Sequence, residues 1–529
     1  MPGPLRVASA PSAHSAFALA RSTNLLVVMV ALGTLAVLAW PSPDALTGRT
    51  PARMAVWGMP FEDRLFEDVY ARGWEAANAG VRVDYGRFAD IRTKYNAWFA
   101  RGDGVEVMRL ELTWYRDFVR RGMLEPLTPY IRDAAGGRGL SAEQLAKFPP
   151  EVMELLTIDG EIYALPEDGS QYGLFYNRAI FDEHNREFPH DPVEYPPVWG
   201  ANGREWTWED LRAAAKKLTR FENNDPVNGR ITRAGLDFAV WAWPFLTLLH
   251  QAGGEAFNAD GSVCTVNSPA GVRALEFLRA MQREDRSFDP SLGEYRDGVG
   301  ADARFAAGRT AMMLDGSWRV PNLDLTAPGL DYAVAPLPRG PRSSASSSTP
   351  SRGTGVPPVP TPSTSSPESP GRPAVACGAV LWAVSSRAKH KDQAWEMLRW
   401  LVQDEQAAAY WDTLRVAPPA NLSVLNSPAF RSTRGVPIDA ADPSRGFEVP
   451  PMPPQRFESR AAWLLYAVTP HAETGEPPGF LISHPLLGDL YDELQKMLQE
   501  YLKPHATVTA QAALDGVVGR IHELMARSR

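Results

Sequence analysis

The chain has 529 residues, 44% of them hydrophobic and 22% charged, enough to bury a sizeable core. Its formal net charge is −8 and no basic stripe stands out, which argues against a nucleic-acid partner. The only cysteines are Cys264 and Cys377, with no CxxC and no Cys/His cluster, so the spacing offers no zinc site; one disulfide between them stays open, and two buried free thiols are the favoured expectation.

The first element is an uncharged apolar run at residues 25–40, LLVVMVALGTLAVLAW, preceded by Arg21 and ended by Pro41, Ser42 and Pro43. It is long for the core of a signal peptide and short for a membrane span. Two expectations stand: a cleaved secretion signal or an uncleaved N-terminal anchor. Either one exports the rest of the chain. No cysteine follows the run, which excludes lipoprotein anchoring.

From Ala52, ARMAVWGM is expected to form a strand leading into a loop. Residues 61–79 follow as a helix with Leu65, Phe66, Val69 and Trp74 on one face. VRVDYGRF (81–88) and VEVMRLEL (105–112) are strands, and WYRDFVRRGML is a helix ending at Gly122. Such alternation predicts α/β layers. In TWEDLRAAAKKLT, Thr207 caps a helix with Asp210 completing a capping box. In NSPAGVRALEFLRAM, Ser268 caps and Pro269 takes the first helical position. Residues 339–373 contain no aromatic side chain and are expected to be a disordered loop. Its flanks, LDYAVAPLP and AVACGAVLWAVSS, resemble neighbouring strands of one sheet, which favours an inserted loop over a domain linker.

No phosphate loop, nucleophile elbow, HExxH or dinucleotide fingerprint is present. The stretch DGEIYALPEDGSQYGLFYNRAIF (159–181) places Glu167 and Asp168 among Tyr163, Tyr172, Phe175 and Tyr176. A pair drawn from Glu111, Glu167, Asp168 and Asp315 could serve glycoside hydrolysis, although sequence does not give their separation. The 16 tryptophans are more informative. Trp57, Trp114, Trp241, Trp243, Trp318 and Trp463 fall in loops or at strand–helix transitions, where open α/β sheets bind ligands. Aromatic faces with a few carboxylates and an arginine suit a sugar, whose C–H faces stack and whose hydroxyls hydrogen-bond.

Taken together, the motifs resemble the extracellular solute-binding proteins of carbohydrate ABC importers, the maltose-binding-like group. The resemblance rests on the 159–181 stretch with its YN before a helix, and on TWEDLRAAAKKLT. LLHQAGGEAFNADGSVCTVNSPAGVRALEFLRAM and ARFAAGRTAMMLDGSW follow in the family's order, as do YAVAPLPRG and CGAVLWAVSSRAKHKDQAWEMLRWLVQDEQAAAYW. It covers roughly residues 51–520. It departs at the 339–373 insertion, at Cys377 where the family has a glycine, and over the proline-rich 415–480.

The resemblance implies a two-lobed, type II periplasmic-binding-protein-like α/β fold, with YALPEDG and YAVAPLP as crossing hinge strands. Lobe 1 would comprise 51–165 and 336–413, and lobe 2 would comprise 166–335 and 414–529, after a leader or anchor at 1–50. The ligand would be held by Trp57, Met59, Glu111, Thr113 and Trp114 from the first lobe. Tyr172, Trp241, Trp243, Asp315, Gly316 and Trp318 would meet it from the second, with Trp318 as the stacking platform. Gly378 and Ala379 would offer backbone groups; Arg415 and Trp463 complete the set. Glu167 and Asp168 would sit at the cleft mouth as acceptors or hinge residues. The implied function is capture of a sugar or oligosaccharide by an exported monomer that delivers it to a membrane permease, with no metal or cofactor. The alternatives are an exported glycoside-processing enzyme and a membrane-tethered sugar sensor.

Overall fold

The computed structural model describes residues 48–133, 137–197, 205–288, 300–341, 371–414, 417–427 and 478–527. The apolar run at 25–40, Arg415 and Trp463 lie outside them. No helix among the described residues is long and apolar enough to cross a membrane.

Among the described residues, ten strands build the two large sheets, and two further two-stranded sheets stand apart from them. The ten are β1 (Thr50–Val56), β2 (Val81–Arg87), β3 (Val107–Glu111), β4 (Ala164–Asp168), β5 (Tyr172–Asn177), β6 (Arg220–Phe221), β7 (Ile231–Phe238), β8 (Thr310–Gly316), β9 (Tyr332–Ala335) and β10 (Val380–Val384). The helices used below are α1 (Ile91–Ala100), α2 (Leu112–Arg120), α3 (Trp208–Leu218), α4 (Ala242–Gln251), α5 (Pro269–Arg283), α6 (Arg319–Thr326), α7 (Lys391–Leu401), α8 (Asp404–Leu414), α9 (Leu487–Tyr501) and α10 (Ala510–Arg527).

The first sheet has the order β2-β1-β3-β10-β4. β1 lies parallel to β2 and β3, while β10 runs antiparallel to β3 and β4. Its central strands are buried on both faces, which is why VMRLE and VLWAV lack clean polar alternation. The second sheet has the order β9-β5-β8-β7-β6, with β5 antiparallel to β8 and β9. The chain passes from the first sheet to the second through residues 169–171 and returns through 377–379. The two crossings touch: Gln171 pairs with Cys377, and the Gly378 amide donates to the Ser170 carbonyl at 2.8 Å.

Local chemistry explains the helix ends. The Thr207 hydroxyl accepts from the Asp210 amide while Asp210 Oδ2 accepts from the Thr207 amide, giving the expected capping box on α3. Ser268 caps α5 with Pro269 at its first position. Gly122, past the end of α2, has φ of +66°, the left-handed conformation that glycine adopts without strain.

Three expectations are corrected. Residues 61–79 do not form one α-helix. A short 3₁₀ turn at Pro60–Glu62 leads into an i→i+5 helix at Arg64–Ala71 and then an α-helix at Arg72–Ala77. Leu65 and Tyr70, like Phe66 and Ala71, are five residues apart and all four are buried, which is the register of the wider turn. The strands flanking the 339–373 segment belong to different sheets, β9 to the second and β10 to the first. The described ends of that segment are packed, not loose. Arg339 is buried, its amide donates to Trp206 O at 2.8 Å, and the Gly371 amide donates to Pro341 O at 3.1 Å. These ends rest on α3 and α4 of the second lobe, so the return to the first sheet comes after the segment. Residues 342–370 lie outside the described set.

The C-terminal helices α9 and α10 pack on each other and on α4 and α5 of the second lobe. α9 also reaches α2 of the first. Across that seam Arg116 Nε donates to Ser483 Oγ at 2.6 Å and Arg92 pairs with Asp492 at 3.5 Å. Both cysteines are free, Cys264 buried and Cys377 half-buried. Burial pushes their thiols up, to about 11 and about 12.

Candidate ligand-binding cleft

The ends of β1 and β3 carry the first-lobe wall. Trp57 follows β1 and lies 5.6 Å from Trp114, ring centroid to ring centroid. Both are half-buried. Glu111 closes β3, and the Thr113 hydroxyl donates to its Oε2 at 3.1 Å. Desolvation raises the Glu111 carboxyl above its usual range, although the Thr113 bond, Arg109 and Arg92 oppose this. Ala379 is buried, and its carbonyl accepts from the Leu112 amide at 2.9 Å, so that group is already used. Gly378 is half-buried and holds the crossing through its own amide.

The second-lobe wall is built around β5 and β8. Tyr172, the first residue of β5, meets Trp318 edge-on at 5.3 Å and 88°. Trp318 stands at the start of α6 and its indole lies over Gly316. A Cβ at Gly316 would come within 2.1 Å of that ring, so only glycine leaves the indole its place. Asp315 supports the same turn: Oδ1 accepts from the Gly316 amide at 2.8 Å and Oδ2 from Arg319 Nε at 2.7 Å. Arg319 also pairs with Asp302 at 2.9 Å, and Asn322 donates to the same oxygen at 3.1 Å. Desolvation raises Asp315, with Arg319 pulling the other way.

Trp241 and Trp243, at the start of α4, are half-buried. Trp243 packs against Tyr491 at 6.0 Å. Tyr491 comes from α9 and had no signal in the sequence, because LYDELQ reads as an ordinary amphipathic helix. Its phenol is raised by desolvation and then by Glu111, and Tyr172 is raised by desolvation, Tyr491, Asp315 and Glu111. Glu111 of the first lobe thus acts on the phenols of both Tyr172 of the second lobe and Tyr491 of the C-terminal helix. The structure thus brings together Glu111, Thr113, Trp114 and Trp57 on one side with Tyr172, Asp315, Gly316 and Trp318 on the other.

Glu167 and Asp168 are placed elsewhere. They end β4 and turn into the first lobe, only 8% and 3% exposed, not at an open cleft mouth. Arg109 Nε donates to Glu167 Oε2 at 2.6 Å, and Arg109 Nη2 lies 3.9 Å from Asp168 Oδ2. The Tyr410 hydroxyl donates to Asp168 Oδ2. Arg109 Nη1 donates to the Trp57 carbonyl at 2.9 Å, and its guanidinium lies 4.6 Å from the ring centres of both Trp57 and Phe66. Met59, half-buried, gives its amide to Glu62, a third buried carboxylate facing Arg109. Among the described residues no group of three or more His, Cys, Asp or Glu side chains is arranged to hold a metal.

Comparison with known proteins follows this geometry. A family model described as "Bacterial extracellular solute-binding protein" matches residues 59–408. A putative binding protein of Brucella abortus is 22% identical over 351 residues, 65% of this chain and 70% of that protein. A maltotriose-binding protein of Pyrococcus abyssi is 23% identical over 289 residues, 54% of this chain and 53% of that protein. Among solved structures, an ABC substrate-binding protein from Listeria monocytogenes in complex with cycloalternan superposes with a TM-score of 0.65 at 21% identity, covering 90% of this chain and 99% of that one. That likeness establishes the type II binding-protein fold.

Proposed function

The chain belongs to the bacterial extracellular solute-binding proteins, and from that premise we propose that it captures a sugar or oligosaccharide outside the cytoplasm and delivers it, as a monomer, to an ABC permease. One observation carries the reading. Two aromatic pairs, Trp57 with Trp114 beside Glu111, and Tyr172 with Trp318 on the turn that Asp315 holds, rise from different sheets. Aromatic faces stack on the C–H faces of a sugar ring, and carboxylates accept from its hydroxyls. The named ligands of two relatives, maltotriose and cycloalternan, support this ligand class.

Binding without turnover is the fitting chemistry. The adjacent carboxylates Glu167 and Asp168 are engaged by Arg109 and Tyr410 inside the first lobe, away from a bound sugar. Because the chain passes between the lobes at 169–171 and 377–379, a ligand touching both walls favours the closed arrangement. The segment at 25–40 serves as export signal or tether to the outer face of the membrane.

The test is a thermal-shift and calorimetric screen of maltotriose, cyclic and linear oligosaccharides and polyols. A ligand of the folded state at a hundredfold excess over Kd adds about 2.7 kcal/mol of stability. The expected outcome is saturable 1:1 binding with a raised Tm and the sugar recovered intact. No shift with any carbohydrate at millimolar concentration, or release of cleavage products, overturns the reading.

A further inference from the structure

The crossing between the lobes holds an unbalanced charge. Among the described residues, Arg109 on β3 is the one guanidinium paired with Glu167 and Asp168 on β4, and it also acts on Glu62, on the turn before the i→i+5 helix. All four side chains are buried, none more than 8% exposed. Glu167 Oε1 and Asp168 Oδ1 have no hydrogen-bond partner within normal distance among the described residues, although the Val380 amide, like Arg109 and Tyr410, favours the ionised form of Asp168. Three buried anions around one cation do not all stay ionised, because each uncompensated charge costs several kcal/mol.

The remaining neighbours do not restore the balance. The Tyr410 hydroxyl on α8 donates to Asp168, whereas the Tyr70 hydroxyl on the i→i+5 helix donates to Gln406 O at 2.8 Å, and the Tyr95 hydroxyl on α1 accepts from the Arg109 amide at 3.1 Å. Arg87 on β2 acts on Glu62 from farther off but is itself paired with Asp63 at 2.7 Å. Glu111, from the cleft end of β3, adds another acid near Arg109 and Asp168.

The position of this cluster is what gives it a consequence. Asp168 is the last residue before the crossing at 169–171. The backbone around it is clamped by the segment at 417–420: the Ala420 amide donates to Glu167 O at 3.0 Å and the Gly169 amide to Pro418 O at 2.9 Å. Tyr410, which binds Asp168, sits on α8. The same helix buries Ala407 and Trp411 against Phe175, Met313 and Tyr332 of the second lobe. A charge change at the cluster is therefore mechanically next to both lobes.

We propose that this cluster is a proton-operated brace: with one carboxyl protonated it holds the lobes in the arrangement seen here, and loss of that proton to solvent shifts them apart. The arrangement seen here then takes up a proton, and a ligand that selects it, on the binding-protein reading above, binds more strongly as the pH falls. The direction agrees with the electrostatics. Desolvation pushes Glu167 up to about 8 and raises Asp168 and Glu62 as well, with Arg109 opposing each. A carboxyl raised in the folded state binds its proton there while the unfolded chain is ionised. Its contribution to stability is full below the ordinary carboxylate range and is lost as the pH rises through about 8.

The test needs no sugar, so it stays readable if the sugar assignment fails. Spin labels are placed at the exposed Arg121 and Val263 of the ligand-free full chain, with Cys264 and Cys377 replaced by alanine. The population at short distance should fall between about pH 6 and about pH 9. Glu167→Gln should abolish that change; Asp168→Asn should diminish it and carries the test if the first variant does not fold. A flat profile in the parent chain overturns the brace. So does the same profile in both variants, or its loss in Glu111→Gln alone, which would assign the proton to the cleft.

Discussion

Arg319 and Arg109 hold carboxylates on either side of the cleft, and they are balanced oppositely. Arg319 meets two aspartates, and both are further supplied with donors, Asp315 by the Gly316 amide and Asp302 by Asn322. Arg109 meets Glu167 and Asp168 and acts on Glu62, and among the described residues Glu167 Oε1 and Asp168 Oδ1 have no donor at normal hydrogen-bond distance. The same residue types give a fixed platform in one place and an under-compensated cluster in the other. The number of donors per carboxylate, more than the presence of an ion pair, separates a part that positions from a part that responds.

The largest break in this comparison is Arg109→Met. It leaves three buried carboxyls with no cation beside them, and should cost about 3–5 kcal/mol in urea denaturation at alkaline pH. The loss should shrink as the pH falls and the carboxyls protonate; an equal loss at all pH values would mean that Arg109 matters for packing alone. Next is the platform. Trp318→Ala should weaken oligosaccharide binding by about 2 kcal/mol, roughly thirtyfold, in calorimetry, with little change in the urea midpoint. Gly316→Ala should weaken binding through the same ring, because the added methyl displaces the indole, and should cost about 1–3 kcal/mol in stability besides. Unchanged affinity in Trp318→Ala would remove that ring from the site. The smallest effect is expected of Asp302→Asn, which keeps an acceptor for Arg319 and loses the charge. A loss of about 1 kcal/mol or less in affinity should follow, against none if Arg319 is held by Asp315 alone.

Much of the scaffold was readable because it follows local rules. The strands at 81–88 and 105–112 and the caps at Thr207 and Ser268 are set by residues within a few positions of each other. Gly316 and Trp318 could be picked out for the same reason, being two residues apart on one turn. Arg109 could not. Within VEVMRLEL a charged residue suggests a solvent-facing position, whereas here it lies on a strand covered on both faces and finds Glu167 on another strand of the sheet. Tyr491 was hidden in the same way, since its partners Trp243 and Glu111 are hundreds of residues away in sequence. The i→i+5 helix escaped because Leu65, Phe66 and Trp74 also satisfy ordinary helical spacing, and only the burial of Tyr70 and Ala71 favours the wider turn.

The hydrogen bond from the Gly371 amide to the Pro341 carbonyl has a consequence for how this sequence can change. Pro341 and Gly371, whose backbones touch, are anchored to the second lobe on either side by Arg339 and Arg372. A segment inserted between such a pair alters neither sheet nor crossing, and each doubling of its length adds only about 0.6 kcal/mol of closure entropy. The position is thus a natural socket. Length and composition between 341 and 371 can drift, be trimmed or carry a foreign sequence while the cleft keeps its shape.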